Sequence, residues 1–309
     1  MFHTLNLPEE LQLIAKNEIN EIPELVEESI SYIRTWLLKQ PHINARMDDN
    51  ALLIYLRGCK FSLEKTKKRL ELSYTIKSAF PNIFKNRDPL LPRIQFLLKQ
   101  NIISVLPQNP NGPVWVLFRF ENATPETLSV TDCIKMSTMI EDVILREYVT
   151  STIVGRAVLI DLKNMSPGFY TVFTPTMIKQ YVTCHLNAYP FRLKRMHIIN
   201  VPRALVPVIN LFKMFLSKKL GNRITYDGLG EENTTAQHLP LSIVPPEFGG
   251  RGEPFSDTCE KLKEKLESYR KWFLEEEQYG CDESKRPSSS KVDIDLFSID
   301  GSFRNLNVD

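Results

Sequence analysis

Residues 8 to 80 read as helix after helix. In "PELVEESISYIRTWLLKQ" the residues Leu25, Ile30, Ile33, Trp36 and Leu37 fall near one face of a helix, with charged residues opposite. Asp48 is placed to cap a third helix through Leu52, Leu53, Tyr55 and Leu56. A fourth opens at Ser62, runs through Leu70 and Tyr74, and is ended by Pro81. From about Pro107 the pattern changes. "VWVLFRF" (Val114 to Phe120) is β-branched and aromatic and follows the turn sequence "NPNGP". "AVLIDL" (Ala157 to Leu162) is a continuous apolar run, as a strand buried on both faces requires. "MHIIN" (Met196 to Asn200) and "RITYDG" read as two more strands. Helical stretches separate them, from Ser129 to Tyr148 and from Pro175 to Ala188. Strand and helix in alternation predict an α/β layered domain with a mostly parallel sheet. The segment Asp257 to Glu277 reads as a polar amphipathic helix, and the end of the chain from Cys281, with "SKRPSSSK", has linker composition.

One helix breaks the rule that a surface helix is polar over a wide face. In "VPRALVPVINLFKMFLSKKLGNR" (Val201 to Arg223), Asn210, Lys213 and Ser217 form a single narrow polar stripe. Val208, Ile209, Leu211, Phe212, Met214, Phe215 and Leu216 cover the rest. Pro207 suits its first turn. Two readings fit: a fully buried core helix, or a lid with one apolar side over a cavity and the other toward a membrane surface. Arg203, Lys218, Lys219 and Arg223 at its ends favour the lid, because cations beside an apolar face suit anionic headgroups at about 1 kcal/mol each.

Charge sharpens this picture. The net charge is only +2, yet Leu162 to Tyr226 contains no Asp or Glu and ten Lys and Arg, while the first thirty residues hold seven acids against Lys16. A one-sign region within a near-neutral chain points to an anionic partner. Aliphatic rather than aromatic residues interleave those charges, which argues against nucleic acid. The five cysteines (Cys59, Cys133, Cys184, Cys259, Cys281) are scattered without a CxxC pair and the five histidines lack metal-ligand spacing, so neither a disulfide framework nor a metal is expected. His197, inside an apolar strand, reads as a structural histidine. No P-loop, GxGxxG or nucleophile elbow is present, "EFGGRG" reads as a turn, and no catalytic constellation or cofactor is expected. Neither an N-terminal signal pattern nor an apolar run of membrane-spanning length stands out, so a cytoplasmic protein, transiently peripheral at membranes, is expected.

"LLIYLRGCKFSLEKTKKRLELSY" (Leu52 to Tyr74) resembles the N-terminal helical signature of CRAL-TRIO proteins. "GRAVLIDLKNMS", "FTPTMIKQYVTCHLNAYPFRLKRMHIINVP", "VINLFKMFLSKKLGNRITYDG" and "LPLSIVPPEFGG" resemble, in order, the core motifs of that lipid-binding domain. The likeness covers roughly Leu52 to Gly250 and is nearest to the tocopherol-transfer and retinaldehyde-binding members. The ending "DLFSIDGSFRNLNVD" is similar to the tails of insect members. The resemblance implies a helical N-terminal unit over 1–90, a lipid-binding domain over 91–252 whose sheet floors an apolar pocket under a movable gate helix, and an acidic helix with a tail over 253–309. It implies a monomeric, non-enzymatic carrier for a small hydrophobic lipid, such as a retinoid, tocopherol, carotenoid or other terpenoid. A phosphoinositide-responsive adaptor and a phospholipid transfer protein stand as alternatives. Pocket positions carry over to Ile160, Phe173, Tyr181, Cys184, His185, Phe191, Leu193 and Met196, with Phe212 beside them, and gate positions to Leu205, Val208 and Leu211. Plain core packing is the competing reading for each apolar one, while Tyr181 and His185 could fix a ligand oxygen. A phosphoinositide cleft carries over to Arg192, Lys194, Lys219 and Arg223. A further arginine of that cleft falls on Cys59, where Lys60 or Arg57 would have to substitute.

Overall fold

The structure is a computed structural model that describes residues 7–107, 112–121, 123–231 and 234–287. The N-terminal helices form for the reasons the pattern gives. In α2 (Pro23–Leu38) a proline opens the helix, and Val26, Ile30, Ile33 and Leu37, at steps of four and three, are its buried face. The Asp48 side chain accepts from the Ala51 amide at 3.0 Å and starts α3 (Asp49–Gly58). Together with α4 (Leu63–Ala79) these helices close a core of their own around Leu52, Leu56, Leu70 and Tyr74. α1 (Glu9–Ile19) lies outside that core. It packs through Ala15 and Ile19 on Ile153, in the short helix α8 (Val149–Ile153).

Two short helices, α5 (Pro81–Phe84) and α6 (Pro92–Leu98), lead into a five-stranded sheet of order β2-β3-β4-β5-β6. β3 (Val114–Arg119), β4 (Arg156–Asp161), β5 (Leu193–Val201) and β6 (Ile224–Gly228) run parallel, and the edge strand β2 (Ile103–Val105) runs antiparallel to β3. The two-residue strands β1 (Ile43–Asn44) and β7 (Gly280–Cys281) pair separately and tie the end of the described chain to the N-terminal helices. Side chains alternate along the central strands. Trp115, Leu117, Ala157, Leu159 and Ile199 face one way, into a core completed by Leu239, Val244, Phe248 and Phe255. Val114, Val116, Val158, Met196 and Ile198 face the other way, into the main core.

The crossover helices cover that second face. α7 (Val130–Glu147) opens with a capping box of Ser129 and Asp132 and lies between β3 and β4. α9 (Pro175–Tyr181) continues into a π-helical turn, Val182–Asn187, before β5, so the stretch expected as one α-helix changes pitch halfway. A 3-10 turn (Arg203–Leu205), α10 (Val206–Met214) and α11 (Lys218–Gly221) lie between β5 and β6. The amphipathic C-terminal segment is two helices, α12 (Phe255–Ser268) and α13 (Arg270–Glu276). Its Glu276 is buried against Lys77 of α4 and accepts from Arg46 at 2.9 Å. The ending "DLFSIDGSFRNLNVD" lies outside the described residues.

Candidate functional site

Alternation along the strands places a set of incompletely covered apolar side chains at the carboxyl ends of β3 and β4. Phe118 and Ile160 share the parity of Val116 and Val158, yet keep accessible surface where those do not. Phe120, Tyr170, Phe173, Tyr181, Val208, Leu211, Phe212, Phe215 and Leu216 are likewise half-buried and packed on the main core. Ring contacts link these residues in two groups. Phe118 stacks on Phe120 at 6.3 Å, Phe120 meets Phe169 at 6.0 Å, and Phe169 meets Phe173 edge-on at 5.7 Å. In the second, Tyr181 meets Phe212 of α10 at 6.1 Å and His185 at 5.1 Å. In an open, mostly parallel sheet this end of the strands is where ligands bind.

The burial of α10 decides between the two readings that its sequence leaves open only so far as to exclude a core helix. Only Ile209 is fully buried, and Met214 is 76% exposed. It is not a core helix. Of the three gate positions, Leu205 is buried in the 3-10 turn before α10, while Val208 and Leu211 are half-buried on its inner side.

The pocket positions divide in two. Ile160, Phe173, Tyr181 and Phe212 keep accessible surface and belong to the half-buried set. Cys184, His185, Phe191, Leu193 and Met196 are closed off within the core behind it. Phe118, Phe120 and Tyr170 were missed by motif matching; the parity of β3 would have found the first two. A cavity of about 30 Å³ lies between Phe118, Phe120, Ile103, Cys133, Met136 and Ile140, room for little more than one water. A wider cleft of about 710 Å³ opens elsewhere, between Arg46, Asp48, Asn50, Arg146, Glu147 and Trp272, and its polar walls do not suit an apolar ligand.

Behind the apolar set sits a buried polar cluster. Arg156 forms an ion pair with Glu141 of α7, lies 4.1 Å from the centre of the Phe191 ring, and donates to Nε2 of His185 at 3.1 Å. A guanidinium only donates, so Nε2 accepts and the ring proton sits on Nδ1, which has no acceptor among the described residues. Burial, and then Arg156, hold His185 well below the ordinary histidine range, so the ring is neutral. Burial pushes the Tyr181 phenol up to about 12, so it too is neutral. These are hydrogen-bonding groups without net charge beside an apolar wall. His197, on the opposite face of the sheet, is held by Thr225 at 2.9 Å and Asp227 at 3.1 Å, in keeping with a structural role.

The basic residues meet at the amino ends of β5 and β6. Arg192 and Lys194 both bind Glu18 of α1, at 2.7 and 2.5 Å. Arg223 donates to the Leu193 carbonyl and precedes Ile224, which pairs with Met196. Lys60 is the neighbour that completes the group. Its ammonium is held below the ordinary lysine range by burial and then by Arg192 and Lys219. Lys60 and Phe61 both adopt left-handed backbone, φ 55° and 56°, an arrangement that costs about 1 kcal/mol or more per residue. Cys59 itself is buried. Arg57 is not a substitute for the missing arginine: it is buried in a two-pronged pair with Glu21, at 2.8 Å for each prong, and donates to Thr152.

A profile described as "CRAL/TRIO domain" matches residues 98–250, and one described as "Pinta-like, UBA domain" matches 22–94. The chain belongs to the CRAL/TRIO family. It is 27% identical over 250 residues to an alpha-tocopherol transfer protein-like protein of Homo sapiens, covering 80% of this chain and 72% of that one. It is 26% identical over 243 residues to clavesin-1 of Mus musculus, covering 78% and 68%. The CRAL/TRIO match spans the whole sheet, α7, α9 and α10, and so includes the half-buried apolar residues and Arg192, Lys194, Lys219 and Arg223, while Glu18 and Lys60 lie before it. Its members are lipid-binding and lipid-transfer proteins. Among the described residues no helix is long and apolar enough to cross a membrane.

Proposed function

We propose that this CRAL/TRIO protein is an intracellular carrier that binds one small hydrophobic lipid beneath α10 and exchanges it at membranes bearing phosphoinositides. The observation that carries the reading is α10 itself: an almost wholly apolar helix with one buried residue, laid over a half-buried apolar floor and leading at its far end to Lys219 and Arg223. Removing the floor from water would stabilise a bound lipid by about 25 cal/mol per Å² of apolar area. The Tyr181 hydroxyl would hold a single ligand oxygen, as in a terpenoid alcohol or aldehyde, with the neutral His185 ring packed behind it. The basic cleft would keep the protein at an anionic surface while the outer side of α10, Met214 foremost, meets acyl chains. The relatives' names favour tocopherol-like ligands, and retinoids and carotenoids share the same chemistry.

Reversing Lys219 and Arg223 to Glu tests the reading. Lipid transfer to phosphoinositide vesicles should stop while affinity for the extracted ligand is kept; loss of affinity with transfer intact would overturn the division of labour between pocket and cleft. The 30 Å³ cavity favours a second reading, a phosphoinositide-responsive adaptor with a vestigial pocket. Organic extraction of the purified protein followed by mass spectrometry separates the two, since a carrier yields a stoichiometric lipid and an adaptor none.

A further inference from the structure

The basic cleft already holds an anion, and that anion belongs to the chain. Glu18 accepts from Arg192 at 2.7 Å and from Lys194 at 2.5 Å. Burial alone would raise its pKa, but the hydrogen bonds from Lys194 and Arg192 reverse the effect, and the carboxylate titrates below its ordinary range. Lys60 and Arg223 stand by the same pair, and Lys219 stands by Lys60. Arg223 is lowered by burial and then by Arg192, so these cations repel one another more than the single carboxylate relieves. Four cations, Arg192, Lys194, Lys60 and Arg223, around one carboxylate, with Lys219 beside Lys60, leave a local excess of positive charge.

The arrangement is a built one. Arg192 spends its other terminal nitrogen on the Ile153 carbonyl, and Arg223 is fixed on the Leu193 carbonyl, so neither arginine is free to swing away. On the acidic side, α1 is docked by Ala15 and Ile19 on Ile153. Its carboxyl end is pinned by Asn20, in left-handed backbone at φ 58°, and by the buried Glu21–Arg57 pair. Glu18 is thus delivered to the cleft by two anchors that do not depend on it.

We infer that Glu18 is a specificity-determining residue of this cleft, an internal carboxylate that admits phosphate-monoester headgroups and turns away lipids whose anion is a phosphodiester or a carboxylate. The inference rests on the reading of the cleft given above. An internal competitor acts at high effective concentration. A phosphodiester carries one charge, as Glu18 does, so exchanging the two gains little. A phosphate monoester carries between one and a half and two charges and three strong acceptor oxygens, enough to satisfy Arg192 and Lys194 and to reach Lys60, Lys219 and Arg223 as well.

The test is vesicle co-sedimentation of the full chain on phosphatidylcholine vesicles doped with phosphatidylserine or with phosphatidic acid, matched in surface charge. Wild type should prefer phosphatidic acid. Glu18→Gln, isosteric and at a half-exposed site, should raise binding to phosphatidylserine vesicles roughly five- to tenfold and to phosphatidic acid vesicles by less than about threefold, so that the preference shrinks. Free inorganic phosphate should compete with wild-type binding if the headgroup phosphate alone is read, and fail to compete if the membrane supplies the affinity. An unchanged melting temperature confirms that Glu18→Gln still folds. If Lys219→Glu with Arg223→Glu abolishes binding but Glu18→Gln leaves the preference unchanged, the cleft stands and the role of Glu18 falls. If the double reversal also leaves binding unchanged, the reading of the cleft falls with it.

Discussion

Two helices on the same face of the sheet invert the usual relation between hydropathy and burial. α7 carries Asp132, Lys135, Ser137, Thr138, Glu141, Asp142 and Arg146, and yet Ser137, Thr138, Glu141 and Asp142 are among its buried residues. α10 is Val-Pro-Val-Ile-Asn-Leu-Phe-Lys-Met and buries Ile209 alone. Partners make the difference. Asp142 accepts from Arg87 at 2.7 Å and from the Tyr189 hydroxyl at 3.2 Å, Glu141 forms an ion pair with Arg156, and Thr138 donates to the Lys135 carbonyl. α10 has its floor on one side and, among the described residues, no element covering Met214 on the other. A helix that is apolar all round is normally buried. One that is not calls for a second apolar surroundings, which the proposed membrane encounter would supply.

The comparison breaks most visibly at α7. Asp142→Ala would strand the Arg87 guanidinium, which is 1% exposed, without its counter-charge. Removing one partner of such a pair costs about 3–5 kcal/mol, so the urea midpoint should fall by that equivalent at an unchanged m-value. A loss under about 1 kcal/mol would mean that α7 is less dependent on its ion pairs than the geometry implies. Acid probes the same logic at Glu276. Burial would raise this carboxyl, but Lys77 and Arg146 overcome burial and hold it at about 2, against an ordinary 4.5. The folded pKa is the lower one. Its contribution, on the order of 3 kcal/mol, is therefore complete above about pH 4.5 and is lost as pH falls toward 2. Unfolding followed from pH 6 to pH 2.5 should show that loss in wild type, and Glu276→Gln should flatten it.

These ion pairs are also where sequence reading stops. The three inner parallel strands, the Asp48 and Ser129 helix starts and the apolar surplus of α10 are local patterns, and each appears in the structure close to where the pattern puts it. β2 is three residues long and exists only by pairing with β3, so no run within it could announce it. The π-helical turn at Val182 carries no proline or glycine, and neither does the break at Tyr269 that splits the last helix in two. Both are set by what the segments pack on. Arg192, Lys194 and Arg223 were legible as charges by their resemblance to a basic cleft. Their meeting with Glu18, 174 residues away from Arg192, was not, because nothing local links an acidic first helix to the start of a distant strand. Nor was the left-handed backbone at Lys60 and Phe61 legible, in the turn where Lys60 comes near Arg192 and Lys219.

α10 offers the smaller and sharper effects. Ile209→Ala removes its one buried anchor and should cost about 2 kcal/mol, the low end for such truncations because a surface helix can settle into the space. Met214→Glu should change stability by no more than about 0.5 kcal/mol, since a side chain 76% exposed loses almost nothing on becoming polar. The two variants therefore separate what holds α10 down from what its outer side is for. Insertion of a methionine into acyl chains is worth roughly 1.5–3 kcal/mol, and a glutamate forfeits it and meets anionic headgroups as well, so the transfer rate to anionic vesicles should drop at least tenfold in Met214→Glu. Equal transfer by Met214→Glu and wild type would remove the membrane from the account, leaving α10 a poorly covered helix whose apolar outer side faces only water. A selective loss of transfer at unchanged stability would instead fix the outer side of α10 as a working surface, and α7 as its opposite in kind: a helix whose polar groups are buried for structure beside one whose apolar groups are exposed for function.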